Sequence, residues 1–326
     1  MPFLAPKLDP LPALDFTNQT VLVTGTTNGL GLAVSKELLR LRASRLIMGV
    51  RDVRRGLETR ELLQCDPSIR AVNPQAQIHV LKLDLEDYTS VAAFTKEVES
   101  LAKSIDVVIL NAGVGGLQRE MTKSGHEKII QVNVLSNALL AMQLLPLLRK
   151  SAELKGSPSR LTWVGSFVQE DHGLTKKPIP FDSTVLGHFD DEKNFVGLSR
   201  YSDSKLLSTC FVKELATHVD KKMVIVNEVS PGPVLTNFGA KYPLLLRVVF
   251  TAALALRARS LEAGANTYLH AVAVAGEESH GEYLSDGKIS TRAKIVETPE
   301  GSRLQKKLWE EVMDECRRVN DRIMED

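Results

Sequence analysis

Tyr201 and Lys205 stand four residues apart in the run Tyr201-Ser202-Asp203-Ser204-Lys205. On a helix that spacing puts both side chains on one face. An ammonium beside a phenol favours the phenolate and lowers a pKa that otherwise sits near ~10. A phenol tuned in this way can exchange a proton with an alcohol or carbonyl near neutral pH. The pair alone decides little, because Tyr-x-x-x-Lys arises by chance on many surface helices. Further chemistry-bearing residues follow apolar runs elsewhere: Ser166 after Thr162-Trp163-Val164-Gly165, and Asn111-Ala112-Gly113 after Ile105 to Leu110. Asn133 lies in Gln131-Val132-Asn133-Val134, and Pro231-Gly232-Pro233-Val234-Leu235-Thr236 follows another β-branched run.

For these residues to meet, the chain must bring distant segments to one edge. Short β-branched runs alternate with helical patterns along its length. The expected strands are Thr20 to Thr24, Arg45 to Val50, Gln77 to Leu83, Ile105 to Leu110, Arg160 to Val164, Met223 to Val229 and Gly281 to Leu284. Helices are expected over Leu30 to Leu41, Asp52 to Gln64, Tyr88 to Lys103, Gly125 to Lys150, Tyr201 to Val219, Ser260 to Val274 and Leu304 to Met324. Such alternation predicts an α/β fold, a Rossmann-type doubly wound parallel sheet of about seven strands with helices on both faces. Active sites of such sheets lie beyond the carboxyl ends of the strands. Ser166, Asn111 and Pro231 all fall there. The expected organisation is an extension over 1–17 and a single dinucleotide-binding and catalytic domain over 18–326, with an inserted segment 167–200 and a substrate lid 237–259.

The first strand runs into Thr24-Gly25-Thr26-Thr27-Asn28-Gly29-Leu30-Gly31 and then a helix. Glycines there permit a tight turn, backbone approach to a pyrophosphate, and close packing of helix on strand. The helix amides and dipole favour the anion. The second strand ends at Val50-Arg51, with no acid at Val50 to accept from the ribose hydroxyls. Arg51 can fork onto a phosphate, so NADP(H) is the expected cofactor.

Taken together, these motifs resemble the short-chain dehydrogenase/reductase family from about Asn18 to Leu284, most closely its retinol-dehydrogenase-like and WW-domain-oxidoreductase-like branch. The resemblance implies a general acid/base role for Tyr201 and a pKa-lowering, ribose-holding role for Lys205. It implies that Ser166 polarises the substrate oxygen and that Asn133 anchors a water in a proton relay. Thr24, Gly25, Thr27, Asn28, Gly29, Leu30 and Gly31 would cradle the cofactor, and Asp84 with Leu85 would hold the adenine side. Asn111, Ala112 and Gly113 would shape the adenosine turn, and Pro231, Gly232, Val234 and Thr236 would meet the nicotinamide end. The 167–200 segment is longer than in compact members.

Composition narrows the partners. With 41 Lys and Arg against 40 Asp and Glu there is no broad basic field for nucleic acid. Neither the cysteines nor the histidines show metal spacing, so no metal is expected. Cys65, Cys210 and Cys316 read as reduced thiols in a cytoplasmic protein. The start carries no signal-peptide pattern, and the apolar stretch Pro243 to Leu256 is too short to span a bilayer, leaving at most peripheral membrane contact. Phe238, Tyr242, Leu244, Leu245, Leu246, Val248, Val249 and Phe250 make the lid apolar and point to a lipophilic substrate, retinoid-, steroid-, terpenoid- or polyketide-like. His172 and His188 are expected at surface loop positions. Leu139, Leu140, Met142, Leu144, Leu147 and Leu148 offer apolar surface for a homodimer or, equally, for burial within one subunit under the C-terminal helix. A cofactor sensor or a non-redox catalyst on the same fold are the alternatives.

Overall fold

A computed structural model describes residues 8–234 and 258–319. Eight strands form one sheet in the order β3-β2-β1-β4-β5-β6-β7-β8. They are β1 Thr20–Thr24, β2 Arg45–Val50, β3 Gln77–Lys82, β4 Val107–Leu110, β5 Ser159–Val164, β6 Val224–Ser230, β7 Tyr283–Ser285 and β8 Lys288–Ile289. β1 to β7 pair in parallel, and the two-residue β8 adds one antiparallel edge. The central strands β1, β4 and β6 are buried almost throughout, which suits strands covered on both sides.

The helices are α1 Gly29–Arg40, α2 Val53–Cys65, α3 Pro67–Val72, α4 Tyr88–Leu101, α5 Lys128–Lys155, α6 Val185–Asp190, α7 Gly197–Thr217, α8 Leu261–Leu269 and α9 Pro299–Val319. One apolar cluster fills the space between the sheet and α4, α5, α7 and α9; the other lies between the sheet and α1 and α8. Asp52 caps α2 by accepting from the Arg55 amide (3.2 Å), and Ser260 caps α8 from Ala263 (3.1 Å), as their positions in the sequence suggest. α5 is long and apolar enough to cross a membrane, yet 94% of its most apolar window is buried, so it is a core helix here.

Three expectations change. First, α3 and α6 were not foreseen; both are six-residue helices started by local caps, Asp66 with Pro67 at α3 and Thr184 at α6, without a sustained apolar period. Second, Leu139, Leu140, Met142, Leu144 and Leu148 are buried within the chain. Their apolar surface packs against α4, α9 and the sheet, the second of the two placements the sequence allows, while Leu147 stays partly exposed. Third, His188 is not at the surface but buried in α6, edge-on to Phe189 at 5.1 Å.

The C-terminal α9 carries its apolar face, Leu304, Leu308, Trp309, Val312 and Met313, into the first cluster. Trp309 stacks on Phe211 of α7 (5.3 Å between centroids) and on His218 (4.3 Å).

Candidate active site

The turn between β1 and α1 leaves the strand through Gly25, at φ +72°, whose amide bonds Gly49 O (2.8 Å). Gly31 is required by closeness: a Cβ there would lie 2.2 Å from Gly25 O. Asn28 is the N-cap of α1 but its side chain makes no capping bond, and the first turn carries no acid. The amides and positive end of α1 therefore remain available to an anion. Thr26 is fully buried and its hydroxyl has no protein hydrogen-bond partner. This donor set and the glycine cradle fit a dinucleotide pyrophosphate. Thr27, Asn28, Gly29 and Leu30 lie on the open side of the same turn.

The β4 end locks onto this turn. Asn111 Nδ2 donates to Thr24 O (2.8 Å) and Gly25 O (3.3 Å), while Ala112 N donates to Thr24 Oγ1 (2.9 Å). Tyr268 of α8, fully buried, donates its hydroxyl to Asn111 Oδ1 (3.1 Å). The sequence reading missed Tyr268. Its only signal was its place four residues beyond Gly264 on the buried face of α8.

At the β2–β3 side of the sheet, Arg51 follows β2 with its side chain 62% exposed and donates to Glu86 Oε1 (3.1 Å). Lys128 reaches the same oxygen (3.1 Å). Asp84 Oδ1 accepts from the Glu86 amide (3.1 Å), which fixes the turn after β3, and Leu85 is buried beneath it.

Tyr201, Lys205 and Asn133 come together where β4, β5, α5 and α7 converge. Lys205 is buried and donates from Nζ to Val164 O (2.7 Å), the last residue of β5. That Nζ lies 5.5 Å from the centre of the Tyr201 ring, one turn earlier on α7. Ser166 leaves β5 two residues after the carbonyl that Lys205 grips, its Oγ accepting from Val168 N (3.4 Å). Asn133 sits in a π-helical stretch of α5, Gln131–Leu135. Such widening often occurs at functional positions because it re-aims side chains and frees backbone groups. The Asn133 amide is held in both directions: Oδ1 accepts from Val114 N (2.8 Å), and Nδ2 donates to Val114 O and Ser204 Oγ (both 2.9 Å). Ser204 Oγ donates to Tyr201 O (2.7 Å), linking Asn133 to the tyrosine backbone.

Gly113 lies against this group. A Cβ there would stand 3.1 Å from Asn133 Oδ1 and 4.0 Å from Lys205 Nζ. Burial pushes the Lys205 ammonium down to about 8, opposed by the charge of Glu228. Tyr201 and Ser166 stay partly exposed while Lys205 and Asn133 are buried.

Beyond β6, Pro231, Gly232 (φ +71°) and Val234 turn across Arg259, which donates to Pro231 O (3.2 Å). Val234 and Leu30 both pack against Gly264 of α8, bringing this turn next to the start of α1. Thr236 and most of the expected lid, up to 257, lie outside the described residues.

The segment 167–200 is not an open loop. Asp190 accepts from Glu127 N (2.7 Å) and lies 2.8 Å from His126 Nδ1. Arg200, wholly buried, donates to Phe189 O (2.6 Å) and Asn194 O (3.2 Å) between the rings of Phe189 and Phe195. Glu311 of α9 accepts from the first amides of α6, Val185 N (2.7 Å) and Leu186 N (2.8 Å).

A family model described as short chain dehydrogenase matches residues 19–159. The chain is 44% identical over 319 residues to the short chain dehydrogenase yanD of Aspergillus niger, covering 97% of each. It is 41% identical over 318 residues to the short-chain dehydrogenase/reductase tropG of Talaromyces stipitatus, again covering 97% of each. Among solved structures it is similar to NADPH-bound carbonyl reductase from chicken fatty liver, with a TM-score of 0.62 at 18% identity, covering 85% of this chain and 100% of that one. The glycine turn, the Tyr201–Lys205 pair and full-length likeness to these relatives place the chain in the short-chain dehydrogenase family.

Proposed function

We propose that the protein is an NADP(H)-dependent reductase that interconverts a ketone or aldehyde and an alcohol on a lipophilic small molecule, with reduction favoured. The observation that carries this reading is the grip of Lys205 on Val164 O, which sets an ammonium beside the Tyr201 ring two residues from Ser166. The nicotinamide, when bound, exchanges hydride with the substrate carbon. In reduction, Tyr201 gives its phenolic proton to the carbonyl oxygen, and Ser166 donates a hydrogen bond to that oxygen and orients it. Lys205 makes the phenol a stronger acid. Asn133, held rigidly by Val114 and Ser204, widens α5 beside Lys205 and supports the resupply of the proton.

For the cofactor, Arg51 supports NADP(H). Its guanidinium already sits on a carboxylate at the end of β2, and a 2′-phosphate would offer it a stronger anion while Lys128 retains Glu86. Arg51→Ala is expected to weaken NADPH binding about ten- to hundredfold and leave NADH binding unchanged. Parallel fluorescence titrations with the two cofactors check this, and an equal loss for both would remove Arg51 from the 2′-phosphate. For the substrate, Phe167 next to Ser166 and Val196 and Leu198 at the start of α7 are exposed apolar side chains near the reacting groups. They favour a lipophilic partner, as the apolar composition of 237–250 does. Three free cysteines accord with the cytosol, where NADPH is kept reduced.

The deciding experiment supplies NADPH and a panel of lipophilic ketones and aldehydes and follows absorbance at the nicotinamide band. Cofactor oxidation matched by alcohol formation is the expected result. Cofactor binding without turnover on any carbonyl, with tight binding of an unreduced ligand, would favour a sensor.

A further inference from the structure

The sheet beneath the site contains an acid that the proposed chemistry does not use. Glu228 lies in β6, opposite Trp163 of β5 and Tyr283 of β7, and is 1% exposed. Its carboxyl fills the space where Gly165 would carry a side chain: a Cβ at Gly165 would stand 2.2 Å from Glu228 Oε1. Gly165 joins Val164, whose carbonyl receives the Lys205 ammonium, to Ser166. On the helix side, Thr209 Oγ1 lies 3.1 Å from Glu228 Oε1 and 3.0 Å from Lys205 O, one turn back. Glu228 Oε2 is buried without a protein partner. The carboxyl is thus wedged between the strand end that carries Ser166 and the helical turn that carries Lys205.

We propose that Glu228 is a positioning residue of this site, the buried counter-charge that keeps Lys205 an ammonium ion beside Tyr201. A bare lysine at this depth would lose its proton, and with it the means to strengthen the Tyr201 acid. The groups that face the pair come from several elements: Thr209 and Cys210 from α7, Tyr283 from β7, and Arg292 beyond β8. None of these is the charge that holds Lys205 up against burial; that charge is Glu228 itself. Burial in turn raises the Glu228 carboxyl from 4.5 to about 7, opposed first by Thr209, then by Lys205 and Arg292. The carboxyl therefore gains charge across the neutral range.

This inference rests on the reductase reading, and the test separates the two. In Glu228→Gln, the alkaline limb of kcat/KM for carbonyl reduction is expected to move about one pH unit lower, with KM for NADPH unchanged at pH 6. Profiles that superimpose apart from a uniform drop would overturn the proposal. A second measurement needs no substrate. Between pH 4.5 and 7 the folded wild type holds a proton on Glu228 that the unfolded chain has released, so the Glu228 contribution to its urea midpoint falls as pH rises through that window, against the opposite trend of the histidines whose protonation burial disfavours. This fall is expected to be missing from Glu228→Gln, and identical slopes would overturn the buried charge. If Glu228→Gln fails to fold, Thr209→Val tests the same point, because losing that hydrogen bond raises the carboxyl further and shifts the alkaline limb in the same direction. A midpoint difference without turnover on any carbonyl would reject the reductase reading and keep the charge pair.

Discussion

Replacing Tyr201 by Phe is expected to lower carbonyl reduction by about 10²–10⁴-fold while leaving NADPH affinity within a factor of two or three. The ring survives in Tyr201→Phe, so the packing of α7 and the Lys205 contact with the ring face at 5.5 Å are kept. What is lost is the phenolic hydroxyl and its proton. Ser204 Oγ bonds the backbone carbonyl of Tyr201 rather than its hydroxyl, so the link to Asn133 also persists. Single-turnover measurements with saturating NADPH isolate the chemical step. Undiminished turnover in this variant would remove the phenol from the reaction.

The second large effect is on stability. Arg200 is fully buried one residue before Tyr201, with Glu127 and Asp203 each 3.9 Å away. Burial raises both carboxyls, and Arg200 opposes the rise in each. Arg200→Met keeps much of the volume between Phe189 and Phe195 but leaves two buried acids without their cation. It also removes the donors to Phe189 O and Asn194 O. A loss of about 3–5 kcal/mol is expected, as for other buried pairs deprived of one member. Urea unfolding at pH 7 measures it. Adding Glu127→Gln to Arg200→Met should restore part of the loss, since one uncompensated charge is then gone. A change under 1 kcal/mol in Arg200→Met would mean that water reaches these carboxylates.

Most of the frame was legible because its signals are local. β1 and β2 run from the first to the last residue expected of them, since β-branched runs bounded by Gly, Asn or Arg report strands directly. The glycine turn could be read because close backbone approach permits nothing larger at Gly31. Other features depend on contacts between distant segments. The π-helical stretch around Asn133 looks like ordinary helix in sequence; it is the hydrogen bonds to Val114, Ser204 and Ser208 that mark its widened turn. Glu228 sits in a run of apolar strand residues, where an acid reads as an exception until Gly165 and Thr209 are seen around it. His188 looked like a surface residue in a polar segment, and only the docking of α6 buries it. The leucines of α5 were ambiguous for a related reason: composition shows that a face is apolar, but not which partner covers it.

The contact between Glu311 and the first amides of α6 has a consequence for how the protein is made. By the time α7 leaves the ribosome, Tyr201 and Lys205 have both been synthesised, and β1 to β5 can already pair. The carboxylate that closes α6, and the Trp309 ring that rests on Phe211, arrive about a hundred residues later. A nascent chain stopped before Glu311 would hold Tyr201 and Lys205 beside a full set of strands with the neighbouring wall unfastened. Translation thus delivers the Tyr201–Lys205 pair well before the residues that fasten its neighbouring wall.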